Sequence, residues 1–580
     1  MFQFLYLLLA WSLVRGLYEM RMLLLGPPGT PGYPGAATVL GGLATVLVLV
    51  WSLGRIVAAR QTTLALKERW RTHDLLGLMW SVSQLGLFAF VLLELRWADF
   101  LLRIPLGDRS ILAVWGLGEM LEVLPAILIA GAAIHARYRH DRVLRPKLFR
   151  TARSHLVFNL RWLLVPLPLM IVLSIAADLV DWLRDDQLVI RKAMFVVPSL
   201  DVMLSIVPML AALALLPWLL QLILPLRRLP DKNLDAHLHN LATRLGAPVG
   251  RILRWNTGDA RVPNALVTGL TRRTRLVLIS DAILDDFTPE ERDAVFCHEL
   301  GHVKHHHVLR LLTMMFGATM LLDAVILPMT VRLLLAGTTD VGIIGLVGGV
   351  LAIGLMLAML LSIMLLVSPI NERQADYMGQ LHGPHPLAIA AALERLEHYQ
   401  GGRTRNRPSP THGSIAQRVD FLLAAATVPE VGQRAEARAR RIHRVLLIAS
   451  LLAASTMFWP LGVQLADSDV RGRVFDIITT VDEAPRAHRA AALRTAMHEL
   501  DELAADKPNA FVGFWRGFVA ETLLPWELDE DARQRTYDYA VARYRESYAQ
   551  AAWPALDPLL PLQGLQRMQE IAMPRSTSTP

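Results

Sequence analysis

Eight apolar stretches of about 20 residues each constrain the fold of this chain more than any other feature. They lie at roughly 36–54, 74–95, 111–134, 157–178, 194–225, 309–336, 341–368 and 445–463. An α-helix needs about 20 apolar residues to cross the hydrocarbon of a bilayer, so each stretch predicts one membrane span. Residues 2–14 are apolar without a basic start or a small-residue cleavage site, which predicts a weak ninth span and not a cleaved signal peptide. The chain is therefore predicted to be a polytopic helical membrane protein.

The composition agrees with a membrane protein and excludes several kinds of site. Hydrophobic residues make up 53% of the 580 residues, more than a soluble domain usually carries. The one cysteine, Cys297, excludes an internal disulfide and a zinc site built from thiolates. Basic residues cluster beside the apolar stretches and lack interleaved aromatic residues. The net charge of +8 therefore indicates sidedness across a bilayer and no nucleic-acid partner.

The basic residues also predict which segments face the cytoplasm. Five of them lie within residues 55–71 and eight within residues 135–161, and the positive-inside rule assigns such segments to the cytoplasm. Alternation of the spans then places 226–308 and 369–444 inside. The tail 464–580 falls outside, in agreement with its 18 acidic and 13 basic residues, a net of −5 that leaves +13 on the remainder.

The spans and the polar segments together predict the domain organisation. The predicted order is an N-terminal membrane region of five to six spans (1–225), a cytoplasmic core (226–308), two membrane helices (309–368), a second cytoplasmic half (369–444), one membrane helix (445–463) and a helical tail outside (464–580). Within the core, DKNLDAHLHNLATRLGAP predicts an amphipathic helix that ends at Gly246, and GRILRWN, NALVTG and RLVLIS predict short strands. The predicted fold class is mainly α, with one small α+β unit.

The stretch TPEERDAVFCHELGHVKHHH, residues 288–307, begins with the signals of a helix N-terminus. Thr288 is a natural N-cap, Pro289 suits the first helical position, and Glu291 completes a capping box. These residues predict a helix that begins at 289.

The same helix carries the first candidate site. His298 and His302 are four residues apart and project from one face, where two imidazoles can share a tetrahedral metal ion. Glu299 lies beside them and can activate a water molecule. The alternative is a histidine-rich helix end that spells HExxH by chance, since three fixed positions are only moderately specific. A hydrolytic zinc site needs a third protein ligand, and that ligand has to come from elsewhere.

The segment SPINERQADYMGQ, residues 368–380, offers the third ligand immediately after the seventh apolar stretch. Glu372 and Asp376 are four residues apart and share one helical face. Glu372 can complete a His-His-Glu site, and Asp376 can then orient one of the imidazoles through a hydrogen bond.

NALVTG, TPEERDAVFCHELGH and NERQAD, in this order and with two predicted spans between the last two, resemble the membrane-bound gluzincin metallopeptidases that include HtpX and the CAAX prenyl proteases. The resemblance covers roughly 230–420. It implies a zincin-like metallopeptidase domain with one zinc ion bound by His298, His302 and Glu372. Glu299 would then be the general base and later the proton donor.

The resemblance implies further roles around this ligand set. Asn264 and Ala265 open a segment that supplies an edge strand in the family, to which an extended substrate can add. THGSIAQR resembles the family's stretch that places an arginine six residues after a histidine. On that basis His412 would stabilise the oxyanion and Arg418 would support a glutamate.

The sequence thus predicts a zinc endopeptidase of a bacterial-type inner membrane that cuts membrane or membrane-proximal polypeptides from the cytoplasmic side. A membrane sensor of the antirepressor type, in which the outer tail binds a signal and the peptidase relays it, is a second hypothesis. A non-catalytic membrane scaffold is a third, and it is disfavoured because the ligands and the base are intact. The natural substrate and the oligomeric state stay open.

Overall fold

The structure, a computed structural model, describes residues 35–63, 66–106, 109–111, 117–337, 341–401, 405–406, 412–551 and 555–572, together with Ala10. The chain divides into two compact units. The first unit comprises residues 1–178, 207–312 and 363–445, and the second comprises residues 179–206, 313–362 and 446–580. All the residues predicted to bind metal or substrate belong to the first unit.

The helices and strands are numbered in chain order. Before residue 225 they are α1 (Ala36–Thr63), α2 (Leu66–Leu93), α3 (Trp97–Leu102), β1 (Pro105–Leu106), β2 (Arg109–Ser110), α4 (Leu117–Leu144), α5 (Ala152–Leu164), α6 (Leu167–Asp186), α7 (Leu188–Val196) and α8 (Ser199–Ile223). Up to residue 337 they continue with β3 (Leu226–Arg228), α9 (Lys232–Arg244), β4 (Arg251–Trp255), β5 (Ala265–Thr268), β6 (Leu276–Ser280), α10 (Asp281–Asp286), α11 (Pro289–Lys304), α12 (His307–Leu321) and α13 (Leu327–Gly337). The remaining elements are α14 (Val341–His382), α15 (Ala388–Tyr399), α16 (Ile415–Thr427), α17 (Pro429–Ser455), α18 (Phe458–Ala466), α19 (Ser468–Glu483), α20 (Arg489–Asp506), α21 (Ala510–Leu523), α22 (Glu530–Gln550) and α23 (Leu559–Ala572).

Long apolar helices confirm the predicted polytopic class. Among the described residues, seven helical segments are long and apolar enough to cross a bilayer: Ala36–Thr63, Met120–Leu144, Ala152–Arg184, Ser199–Ile223, His307–Leu335, Val347–His382 and Pro429–Ala466. Each overlaps one of the eight strong predictions. The remaining prediction, 74–95, overlaps α2, whose described apolar part is the shorter Met79–Leu93. The weak prediction at 2–14 lies outside the described residues except for Ala10.

A small mixed sheet lies in the first unit. Its strand order is β3-β4-β6-β5, with β4 and β6 parallel and the other two pairs antiparallel. The predicted strands correspond to β4, β5 and β6, while β3 was not predicted. All five residues of β6 are buried, and β5 forms an edge of the sheet. The sheet is therefore covered on both faces at β6, and β5 offers an edge strand beside the predicted site.

Helices α9 and α11 pack on this sheet and close the core of the first unit. Leu238 of α9, Val277 of β6 and Phe296 of α11 are at most 1% exposed and belong to one hydrophobic cluster. Helix α9 ends as predicted, because Gly246 adopts a φ of +68°, a conformation that favours glycine. The HExxH helix is thus held along one side by a rigid apolar core.

The second unit contains the C-terminal helices with a core of their own. Helices α19 to α23 bury residues such as Val474, Leu500 and Tyr544 in one cluster. The Tyr544 hydroxyl bonds the Glu521 carboxylate, which also accepts from Arg567 Nε at 2.6 Å. The predicted helical character of the tail is confirmed.

Candidate metal centre

Helix α11 presents two imidazoles and a carboxylate from one short segment. Its N-terminus forms the predicted capping box: Glu291 N donates to Thr288 Oγ1 at 3.2 Å, and Thr288 N donates to Glu291 Oε2 at 2.9 Å. His298 and His302 follow, with ring centroids 5.0 Å apart. Both rings lie on one face because four residues make slightly more than one helical turn.

Helix α14 brings the third side chain against α11. The two helices approach closely at Gly301, where an added Cβ would lie 2.9 Å from Ala375 Cα and 3.1 Å from Met378 Cβ. A side chain at position 301 would push the helices apart. The glycine between Leu300 and His302 therefore sets the distance at which Glu372 reaches the imidazoles.

The three candidate ligands converge on one point. The Nε2 atoms of His298 and His302 are 3.3 Å apart, and each lies 3.7 Å from an oxygen of Glu372. Two donors of a tetrahedral zinc ion with bonds of about 2.0–2.1 Å are separated by about 3.4 Å. Among the described residues, this is the one group of His, Cys, Asp and Glu side chains whose ligand atoms all lie within 4.8 Å of one another. The donor set and its spacing fit one zinc ion.

A buried ion pair supports the His298 side of the centre. His298 Nδ1 is 3.0 Å from Asp376 Oδ1. Arg418 donates to both oxygens of Asp376, from Nε at 2.7 Å and from Nη2 at 2.6 Å, and its Nη1 lies 3.2 Å from Glu372 Oε2. Burial opposes a charge on His298, but the carboxylates of Asp376 and Glu372 outweigh it and raise the pKa of His298. Four side chains are thus tied into one network.

Glu299 and His302 have shifted pKa values, and a further histidine, His412, is exposed. Burial raises the pKa of Glu299, and the neighbouring His298 partly opposes this shift. Burial, with a contribution from His298, lowers the pKa of His302 to about 4. His302 is therefore neutral at pH 7, the state in which a ring nitrogen can bind a metal. The exposed His412 places Nδ1 3.0 Å from Glu372 Oε1.

Asn264 and Ala265 lie at the edge of the sheet. Asn264 N donates to Ser280 Oγ and its carbonyl accepts from Ser280 N, both at 2.9 Å, and β5 begins at the next residue. Strand β5 packs against α11. The edge strand therefore runs beside the helix that carries HExxH, and the substrate contact itself stays a prediction.

Two features of the site were missed from the sequence. Arg418 lies 3.2 Å from Glu372, a glutamate as expected, but its shorter, two-pronged pairing with Asp376 was not predicted. His307, five residues past His302, was a candidate for a residue that supports the ligands from behind, but its pairing with Gln374 was not predicted. A weak signal existed for the second, because Gln374 lies between Glu372 and Asp376 in the motif NERQAD.

Comparison with known proteins places this segment among metallopeptidases. The sequence profile described as Peptidase family M48 matches residues 228–436. A protease HtpX homologue of Persephonella marina is 31% identical over 159 residues, which are 27% of this chain and 54% of that protein. A protease HtpX homologue of Thermococcus sibiricus is 30% identical over 223 residues, which are 37% of this chain and 74% of that protein. The chain thus spans about half of the first relative and about three quarters of the second.

A solved structure also aligns with the chain. The crystal structure of S. mikatae Ste24p has a TM-score of 0.39 and 14% sequence identity, and the alignment covers 68% of this chain and 99% of that one.

Proposed function

The chain belongs to peptidase family M48, and from this premise we propose that it is an integral-membrane zinc endopeptidase that hydrolyses membrane or membrane-proximal polypeptides. One observation carries the proposal: His298, His302 and Glu372 bring their ligand atoms within 4.8 Å of one another. In the part of the chain that the structure describes, seven helices long and apolar enough to cross a bilayer support the membrane location.

The residues around the ligands have separable roles in this proposal. Bound zinc would polarise a peptide carbonyl and make a water molecule nucleophilic near neutral pH. Glu299 accepts the proton of that water, because Asp376, the other nearby carboxylate, is already occupied by Arg418 and His298. Burial raises the pKa of Glu299, which makes its carboxylate a stronger base than that of an exposed glutamate. Glu299 then passes the proton to the leaving amine.

Substrate binding is assigned to the open edge of the sheet. An extended polypeptide can add to β5 through main-chain hydrogen bonds in the segment that Asn264 and Ala265 open; the backbone N–H and C=O of Asn264 itself already bond Ser280. This mode favours unfolded or extended segments, since the recognised groups are backbone amides. His412, whose side chain is 59% exposed, is the group proposed to stabilise the oxyanion.

Metal analysis combined with one conservative substitution tests the function. The full-length protein, purified in detergent without chelators, is expected to hold about one zinc ion. Glu299→Gln should keep the zinc and lose cleavage of an unfolded model protein, because the amide cannot accept the proton. A wild-type protein without zinc, or a Glu299→Gln protein with full activity, contradicts the proposal.

The same variant separates the two other hypotheses. A scaffold would act in cells equally well with Glu299→Gln, so comparison of the membrane proteome with and without this variant distinguishes scaffold from peptidase. A sensor would require that a ligand of residues 464–580 changes the rate of cleavage. The second unit has its own hydrophobic core, which is the one observation that favours such a separate role for the tail.

Orientation is proposed from the basic segments and is tested by reporter fusions. The active centre is assigned to the cytoplasmic side of a bacterial-type inner membrane and the tail to the outside. A reporter that is active only outside should work when fused after residue 480 and should be silent near residue 240. The opposite pattern would reverse the side on which substrates are cut.

A further inference from the structure

His302 makes a contact that the proposed mechanism does not use. Its Nδ1 is 2.9 Å from Nδ1 of His307, and the two rings meet edge to face with centroids 5.0 Å apart. His307 Nε2 lies 2.9 Å from Gln374 Oε1, and Gln374 Nε2 donates to Glu436 Oε1, also at 2.9 Å. A path of four side chains thus leads from a candidate zinc ligand to a carboxylate on α17.

A break between two helices makes this path possible. Helix α11 ends at Lys304 and α12 begins at His307, and between them His306 has a φ of +53°. This left-handed conformation is sterically unfavourable for a non-glycine residue. In one continuous helix, position 307 would be rotated about 140° from position 302 and could not face it. The turn folds His307 back onto the ring of His302.

The positions of the hydrogen atoms along the path follow from the tautomer of His302. If His302 binds zinc through Nε2, its hydrogen is on Nδ1, because a neutral imidazole has one donor and one acceptor nitrogen. His307 must then accept at Nδ1 and carry its own hydrogen on Nε2. That nitrogen faces the Gln374 oxygen, which is an acceptor, and the Gln374 amide donates to Glu436. Every donor meets an acceptor, so all the hydrogen bonds are donated in the direction from His302 to Glu436.

We propose that His307, Gln374 and Glu436 are positioning residues that fix the tautomer and the ring orientation of His302 and thereby strengthen zinc binding. The inference rests on the proposed function, since it requires His302 to bind zinc through Nε2. Hydrogen bonds to the far nitrogen of a ligating imidazole orient the ring and raise its basicity, and their loss costs about 10- to 100-fold in metal affinity or activity.

Burial explains why the path has to be complete. His307 and Gln374 are 3% and 2% exposed, so a group that loses its partner there cannot turn to water. A second metal site on His307 is excluded by the same contacts, since both ring nitrogens already lie within hydrogen-bond distance of a partner.

Zinc affinity, measured by competition with a chelator on the full-length protein in detergent, tests the proposal. His307→Phe keeps a ring but removes both nitrogens, and it should weaken zinc binding about 10- to 100-fold. His307→Asn restores an oxygen acceptor near the position of Nδ1 and should recover part of the loss. His306→Gly is the matched control, because it removes an exposed imidazole from the same tripeptide and relieves the positive φ; its zinc affinity should equal that of the wild type.

Cobalt substitution gives a readout that a purely structural role would not change. The visible absorption of the cobalt-loaded protein depends on ligand geometry, so it should shift in His307→Phe and return toward the wild type in His307→Asn. Wild-type zinc affinity and an unchanged cobalt spectrum in folded His307→Phe would overturn this inference and leave the proposed function intact. If that variant does not fold, Gln374→Leu takes its place: about tenfold weaker binding supports the inference and wild-type binding overturns it. A wild type that binds no zinc would overturn the proposed function as well.

Discussion

The two imidazoles of the candidate centre are one helical turn apart and are held by opposite kinds of surroundings. Behind His298 lies a buried ion pair, in which Arg418 donates to Asp376 at 2.6 and 2.7 Å. Behind His302 lies a neutral path through His307 and Gln374. The pKa values follow this difference, since that of His298 is raised and that of His302 is lowered to about 4.

The comparison separates two effects that a group behind a ligating imidazole can have: it can add charge to the site, and it can orient the ring. A carboxylate directly behind an imidazole adds negative charge to the site and needs a cation to balance it, which Arg418 supplies. A neutral partner orients the ring without adding charge. The His298 side should therefore dominate stability, and the His302 side should affect mainly metal affinity.

Removal of Arg418 should have the largest effect on stability. Arg418→Ala leaves Asp376 and Glu372 buried without their cation, and loss of one partner of a buried pair costs about 3–5 kcal/mol. Arg440→Ala is the matched control, because that side chain is 61% exposed beside Glu436 and should change stability by less than about 1 kcal/mol. Unfolding in detergent, followed by tryptophan fluorescence, measures both. If Arg418→Ala and Arg440→Ala were equally stable, the buried ion pair behind His298 would contribute no more to stability than an exposed one.

Zinc binding should depend more strongly on Glu372 than on Asp376, which both lie on α14. Glu372→Ala removes a charge and a ligand, so zinc binding should be sharply weakened. Asp376→Ala should cost about 10- to 100-fold, because the three ligands remain. Zinc content and cleavage of an unfolded protein are measured for each variant, with folding checked separately. Full zinc and activity in Glu372→Ala would show that the third ligand lies elsewhere.

Loss of the neutral partner should cost less stability than loss of Arg418. Gln374→Leu leaves the buried Nε2 hydrogen of His307 without its acceptor, a penalty of about 1–3 kcal/mol, while Glu436 Oε1 keeps Arg440 Nη1 at 3.5 Å. The free energy of unfolding is compared with that of Arg418→Ala under the same conditions. If Gln374→Leu lost more stability than Arg418→Ala, the surroundings of His302 would contribute more to stability than those of His298.

His306→Gly should give the smallest change, and in the opposite direction. Glycine adopts a φ of +53° without the steric cost that histidine has, and the entropy it adds to the unfolded chain offsets part of the gain. The expected stabilisation is about 1 kcal/mol or less. A higher Tm with unchanged zinc affinity would show that the turn serves to place His307 and that the His306 ring has no role.

Local signals in the sequence were enough for the helix that carries HExxH. The capping box at Thr288 and the end of α9 at Gly246 depend on neighbouring residues, and both were predicted. The partner of Arg418 could not be predicted in the same way, because it lies 42 positions away at Asp376 and the pairing depends on how α14 and α16 pack. His307 could be named from its distance of five residues to His302, but its contact with the ring could not be derived, because a helical pattern of 3.6 residues per turn does not show the positive φ at His306.

Helix α14 runs from Val341 to His382 with Pro369 inside it, so a proline lies between the apolar segment and Glu372. Helices adjust their tilt to the thickness of the surrounding bilayer. A bend at Pro369 would absorb part of such a tilt before it reached the segment that carries Glu372 and Asp376.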